Sequence, residues 1–158
     1  MTRQHTYTVE ITWTGNQGTG TGDYRSYARD HEVSAPGLPT IPGSSDPAFR
    51  GDPARWNPEQ LLLASISQCH LLWYLHLCAV NGVVVTSYSD QPVGRMAETA
   101  DGGHFTSAVL HPRVEVAEEA MVDKAVALHA DAHRSCFIAN SVNFPVRHEP
   151  VVTVAAGN

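Results

Sequence analysis

Apolar and polar residues alternate strictly from Tyr7 to Thr14. Tyr7, Val9, Ile11 and Trp13 fall on one side, and Thr8, Glu10, Thr12 and Thr14 on the other. A period of two predicts a strand with one buried face. The turn-rich run TGNQGTGTG follows, and DYRSYARDHEVS predicts a second strand, so the chain opens as a hairpin. APGLPTIPGSSDPAFRGDPARWNP, with six prolines and three glycines, predicts a long irregular connection. Such a segment serves as a lid or binding loop, or wraps the surface in an ordered way. At Asn57 the pattern changes. NPEQLLLASISQCHLLWYLHLCAVNG is apolar nearly all round. Asn57 is its N-cap, Pro58 takes the first helical position, Gln60 completes a capping pattern, and Gly82 is the stop. Ser65, Ser67, Gln68, His70 and His76 interrupt the run, which points to a buried core helix rather than a membrane span. VVVTSYS, PVGRMAE and HFTSAVLHPRVEVA predict three further strands. A second helix, from Glu118 to Cys136, carries the inner stripe Met121, Ala125, Leu128, Ala132 and Cys136, and FPVRHEPVVTVA predicts a closing strand. The order β-β-α-β-β-β-α-β implies an α+β fold, with antiparallel strands against two long core helices.

At 158 residues the chain predicts one domain, residues 1–158, long enough to bury a core. A net charge of −6 leaves no basic footprint, so nucleic acid is not an expected partner. Of the ten cations, Lys124 is the sole lysine, a bias that suits fixed pairing with carboxylates or anions. MTRQHTYTVEITWTG enters the strand pattern at once, with no apolar targeting core, and a cytoplasmic location is expected. Three cysteines in such a chain fit catalytic or redox use better than a secreted disulfide scaffold.

Cys69 lies on the helical stripe Leu62, Ile66, Cys69, Trp73, where a free thiol serves either as a small hydrophobe or as a reactive group. Cys136 falls on the inner stripe of the second helix, so both helices present a thiol to one core. Cys78 stands nine residues past Cys69, about 13 Å along a helix axis. A disulfide needs Cα atoms within about 7 Å, so Cys78 reads as packing and Cys136 as the one thiol able to meet Cys69. A mid-helix thiolate gains little from the helix dipole, and its charge partner must come from elsewhere. Arg50 and Arg55, in the segment feeding the helix, are the nearest candidates, followed by Arg25 and Arg29.

NPEQLLLASISQC and the later AHRSCFIANSV resemble the two cysteine motifs of the OsmC/Ohr family of thiol peroxidases. Glu59 and Cys69 match the first motif, Cys136 and Asn140 the second, and the flanking strands fit in order along essentially the whole chain. The resemblance implies an OsmC-like fold and an intertwined homodimer with shared active sites. It implies reduction of organic hydroperoxides, with Cys69 as the peroxidatic thiolate and Cys136 as the resolving thiol. A dithiol reductant, often lipoyl-based in that family, restores the pair, and no cofactor is implied. The family's site also holds an arginine and a glutamate. Glu59 matches the glutamate, but ten helical residues separate it from Cys69, about 15 Å of axis, so a second subunit would supply it. Alternatively, Glu59 complements the helix dipole. The Ohr branch carries its arginine in the first hairpin, and TGNQGTGTG has none. FRGDPARWNPE resembles the OsmC branch instead, which favours Arg50, with Arg55 second. Leu72, Trp73, Ile66 and Phe49 would surround the thiol and suit an alkyl or aryl hydroperoxide.

Two rivals keep the same fold. His129, His133 and Cys136 stand at i, i+4 and i+7, and Cys69 or His70 could complete a metal site. A carrier for a small hydrophobic molecule is the other. His70 is about 100° round the helix from Cys69 and is expected not to face it; His76 lies too far along the axis to act as its base. His5, His31, His104 and His148 read as surface or structural residues.

Overall fold

The computed structural model describes residues 1–157, which form two compact units, residues 1–61 and residues 62 onward. In the first unit β1 (Glu10–Trp13), β2 (His31–Ser34) and β3 (Ile41–Gly43) form an antiparallel sheet in that order. The register sets Trp13 opposite His31 and Val33 opposite Ile41. The expected buried face of β1 is open: Tyr7 is 87% exposed and Ile11 60%. The alternation is real, but one copy of the chain provides no cover for that face.

The second expected strand is mostly turn. Asp23 accepts from the Arg25 amide at 2.8 Å, and Arg29 donates to the carbonyls of Tyr27 and Tyr24 at 2.6 and 2.7 Å, so extension begins only at His31. The proline-rich connection is ordered. It contains β3 and a 3-10 turn at Pro47–Phe49 whose N-cap, Asp46, accepts from the Ala48 amide at 2.7 Å. The buried Ser44 hydroxyl donates to Asp30 and accepts from the Asp52 amide. Gly51 is required here, because a Cβ would lie 1.5 Å from the Ser45 carbonyl oxygen.

Helix α1 (Pro58–Val80) starts at a reciprocal capping box. Asn57 accepts from the Gln60 amide at 2.8 Å, and Gln60 accepts from the Asn57 amide at 3.1 Å. It ends with Gly82 at φ +73°, where the Val83 amide bonds to the Cys78 carbonyl at 2.9 Å and Gly82 to Ala79. The buried line is Ile66, His70, Tyr74 and Cys78, not the expected Leu62, Ile66, Cys69, Trp73. The helix is apolar on nearly every side, so periodicity does not mark its inner face. It is long and apolar enough to cross a membrane by composition, and Leu72 and Val80 on its outer side are 65% and 64% exposed.

The rest of the second unit is two mixed sheets and one helix. Sheet β4-β7-β9 uses Val85–Ser89, Arg113–Val116 and Val151–Val154; sheet β5-β6-β8 uses Val93–Thr99, Gly102–Leu110 and Val146–His148. The pairs β4/β7 and β5/β6 are antiparallel, whereas β7/β9 and β6/β8 are parallel. Two segments expected as single strands each divide at a proline, Pro112 and Pro150, and pass from one sheet to the other. Proline donates no ladder bond. The divisions lie side by side, with the Glu149 amide on the Leu110 carbonyl and the Val151 amide on the Pro112 carbonyl, both at 2.8 Å. The second helix is shorter than expected: a 3-10 turn at Glu119–Met121 leads into α2 (Val122–Ser135), and Cys136 is its C-cap. Tyr74, Cys78 and Val83 share one apolar cluster with Val114, Val116, Ala125, Leu128 and Ala132. Ile66 joins Ala108, Leu110 and Val146 in another.

Asn57→Ala is expected to lower unfolding free energy by about 1 kcal/mol in a urea titration, while Asn57→Asp keeps nearly all of it. Equal stability of the alanine variant and the parent would refute the cap's contribution.

Candidate active site

Cys69 sits half-buried midway along α1, and Cys136 is buried at the point where α2 stops. The chain turns extended there (Cys136 φ −69°, ψ 110°), which swings the residue out of the helical path. The following residues lock the turn. The Asn140 amide bonds to the Cys136 carbonyl at 3.0 Å, and the Asn140 side chain donates to the Arg134 carbonyl at 3.1 Å. The Ala139 amide points at Cys136 Sγ from 3.4 Å. The Cys69 thiol is close enough to Cys136 to act on its thiol, and both are free. Burial pushes Cys136 up to about 11; the Ala139 amide pulls it back in part, and the Cys69 sulfur raises it again. Cys78 stays apart, buried beside Tyr74, its thiol raised by burial.

The arginines divide by function. Arg55 donates to Glu32 at 2.5 Å and to the carbonyls of His31 and Gly43 at 2.9 Å, which ties it into the β2–β3 sheet. Arg29 is held by two carbonyls and packs over Tyr27 at 4.0 Å. Arg25 is exposed. Arg50 is exposed, has no acidic partner among the described residues, and lies 5.9 Å over the Tyr24 ring. Among those residues it is also the one non-glycine position with positive φ, at 67°. Glu59, in the first turn of α1, buries one carboxylate oxygen, Oε2, without a hydrogen-bond partner. The structure thus brings Cys69 and Cys136 together, whereas Arg50 and Glu59 belong to the first unit.

One to two turns beyond Cys69, Leu72, Trp73 and His76 line an open cavity of about 270 Å³. Phe137, next to Cys136, meets Trp73 edge-on at 5.5 Å, and His76 meets it edge-on at 5.9 Å. The walls are mostly apolar.

A group of buried histidines is the feature the sequence did not reveal. His70 and His129 are 1% and 0% exposed, with His70 Nε2 2.9 Å from His129 Nδ1. Their ring centroids are 5.2 Å apart and their planes differ by 7°, so the rings meet edge to edge in a common plane. Tyr74 stacks on His129 at 3.9 Å, and His148 lies 5.7 Å from His70 and 5.6 Å from His133. His70 is therefore a core residue, and His148 is a half-buried one beside it. The metal set His129–His133–Cys136, with Cys69 or His70, does not assemble: among the described residues no three His, Cys, Asp or Glu side chains are placed to hold an ion. A spacing of four from Ile66 through His70 to Tyr74 was the signal available, masked by the apolar residues on every side.

His129 Nε2 is buried without a partner. A bare ring nitrogen is cheaper to leave unpaired than an N–H. The favoured tautomer therefore has His129 Nδ1–H donating to His70 Nε2. Burial, followed by repulsion from His148 and His133, lowers His70 to about 4; burial, followed by His70 and His148, lowers His129 to about 3.

The family model described as OsmC-like protein matches residues 51–150. The chain belongs to this OsmC-like family. No curated protein matches it. Among solved structures, an OsmC-like protein of unknown function from Vibrio cholerae is 28% identical, with TM-score 0.83, covering 94% of this chain and 100% of that one. An organic hydroperoxide resistance protein from Elizabethkingia anophelis is 17% identical, with TM-score 0.65 and coverage of 98% and 100%. One from Legionella pneumophila, named as OsmC, is 20% identical, with TM-score 0.62 and coverage of 97% and 100%. These last two show a shared fold. The OsmC-like pattern of two helices and small sheets agrees with the α+β expectation.

Acid is expected to weaken this OsmC-like core. Both histidines bind protons more weakly folded than unfolded, so the stability tied to their neutral forms is complete above about pH 6.5. It is lost as pH falls from there toward 4 and 3. Urea midpoints measured across that range should decline, and less steeply in His129→Asn. A flat profile in the parent protein would contradict the assignment.

Proposed function

We propose that this chain is a thiol-dependent peroxidase that reduces organic hydroperoxides to alcohols. The observation that carries this reading is the meeting of two free thiols, Cys69 and Cys136, in an OsmC-like chain. The Cys69 thiolate attacks the distal peroxide oxygen; the S–O bond forms, the O–O bond breaks, and the alkoxide leaves as alcohol after taking a proton. Cys69 is now a sulfenic acid. The Cys136 sulfur attacks the Cys69 sulfur, the S–S bond forms, and the oxygen departs with the thiol proton as water. An external dithiol, of the lipoyl type, reduces the disulfide and is itself oxidised.

A thiolate in mid-helix needs a cation, and Arg50 is the choice. It has no acidic partner among the described residues, whereas Arg55 is committed to Glu32. Glu59 is its natural counter-charge, with a buried oxygen awaiting a donor. We assign both to a site shared between two copies. The uncovered apolar residues Tyr7, Val9, Ile11 and Trp13 of the first unit, and Leu72 and Val80 of α1, support a homodimer. The apolar cavity at Leu72 and Trp73 favours an alkyl or aryl hydroperoxide. Three free cysteines fit a reducing compartment such as the cytoplasm.

After one equivalent of cumene hydroperoxide, intact mass should fall by about 2 Da, the loss of two hydrogens. Cys136→Ser should instead leave a sulfenic acid that dimedone traps. If the parent keeps both thiols after the pulse, the peroxidase assignment is wrong. Arg50→Ala should lower kcat/KM by about 100-fold, the scale for removing a charge-stabilising donor, with Arg55→Ala acting mainly on stability. An Arg50→Ala enzyme of undiminished kcat/KM would move the cation elsewhere.

A further inference from the structure

We infer that the His70–His129 hydrogen bond is a positioning device for disulfide closure: it holds α1 and α2 at the spacing and register where Cys136 reaches Cys69. The inference rests on the peroxidase reading above and gives a task to residues that the chemistry does not use.

Along the two helices the cross-links run in order. Cys69 meets Cys136, His70 bonds to His129 at 2.9 Å, and the Tyr74 hydroxyl donates to the Ala125 carbonyl at 3.0 Å. Numbers rise on α1 as they fall on α2, so the helices are antiparallel. His70 follows Cys69 directly, and His129 lies in the last two turns of α2, whose C-cap is Cys136. The histidine bond is therefore the tie next to the sulfurs. Disulfide formation tolerates little error, since the Cα atoms must come within about 4.4–6.8 Å. Apolar contacts are non-directional and let helices slide. Two planar rings joined edge to edge, with Tyr74 stacked at 3.9 Å, fix both distance and register.

The cost of the arrangement also argues for a purpose. His129 Nε2 is buried and unpaired, and an apolar pair of similar size would avoid that penalty. What the imidazoles add is a directed bond. They need not carry a proton, because the proton released by Cys136 leaves with the sulfenic oxygen as water.

The test compares the parent protein with H129L and with the double variant H70Q/H129N. Asparagine presents its amide N–H where His129 has Nδ1–H, and glutamine an oxygen where His70 has Nε2. Dimedone trapping after one equivalent of cumene hydroperoxide reads the first step; loss of the second thiol reads closure. H129L should form the Cys69 sulfenic acid within about twofold of the parent rate and close the disulfide at least about tenfold more slowly, whereas the amide pair should close within about threefold of the parent. Closure at the parent rate in H129L, or closure by the amide pair as slow as in H129L, overturns the inference. H70L replaces H129L if the latter does not fold.

A second arm separates this idea from the peroxidase reading. In a glutathione redox buffer, without peroxide, the effective molarity of the Cys69–Cys136 pair should fall about tenfold in H129L and return in the amide pair. If the parent forms no sulfenic acid, the peroxidase reading fails, and this arm still decides the positioning role; equal effective molarities overturn it.

Discussion

Everything at the sulfur pair depends on two helices keeping a fixed separation inside the second unit. Polar side chains set that separation as much as apolar ones do. His70 reaches His129 and Tyr74 reaches the Ala125 carbonyl, while Ala125, Leu128 and Ala132 fill the space around them. A buried polar bond contributes modestly to net stability but penalises any arrangement that breaks it. The helix pair is thereby held to one alignment, and the end of α2 is delivered to the middle of α1. Had α2 continued one more turn, Cys136 would have remained on the helical path.

The sheets supply the floor for this arrangement. Two chain segments change sheet at Pro112 and Pro150, and the crossings are stitched to each other through backbone hydrogen bonds. Ala108 and Leu110, before the Pro112 crossing, therefore join the cluster under the first half of α1, and Val114 and Val116, after it, join the cluster under its second half and α2. His148 arrives from β8 directly before the second crossing, which puts a fourth ring beside His70, His129 and His133. Placement of the histidines is thus a product of strand connectivity as well as helix packing.

The helix limits and the family were legible in the sequence because they are written in local chemistry and spacing. Asn57, Pro58 and Gln60 announce the start of α1, Gly82 its end, and the motifs around Cys69 and Cys136 point to a thiol pair. Information that depends on three-dimensional context was not legible. On α1, leucine, tryptophan and tyrosine occupy all sides, so no period distinguishes inner from outer. For β1 the alternation is present, yet the surface that would bury Tyr7 and Ile11 is absent from a single copy. The proline crossings could have been read, since Pro112 and Pro150 each sit within a run otherwise suited to one strand. His129 and His133 had helical spacing that admitted a rival metal site with Cys136, while the partner that matters for His129 comes from a residue 59 positions away.

Arg50 has a backbone conformation that arginine rarely adopts. A left-handed φ of 67° carries a penalty of about 1 kcal/mol for a side chain with a Cβ, and glycine would relieve it. Mutational drift toward greater thermal persistence should therefore favour glycine at this position, and each such gain would discard the guanidinium. Retention of arginine there in a long-lived lineage would mark selection for charge over durability.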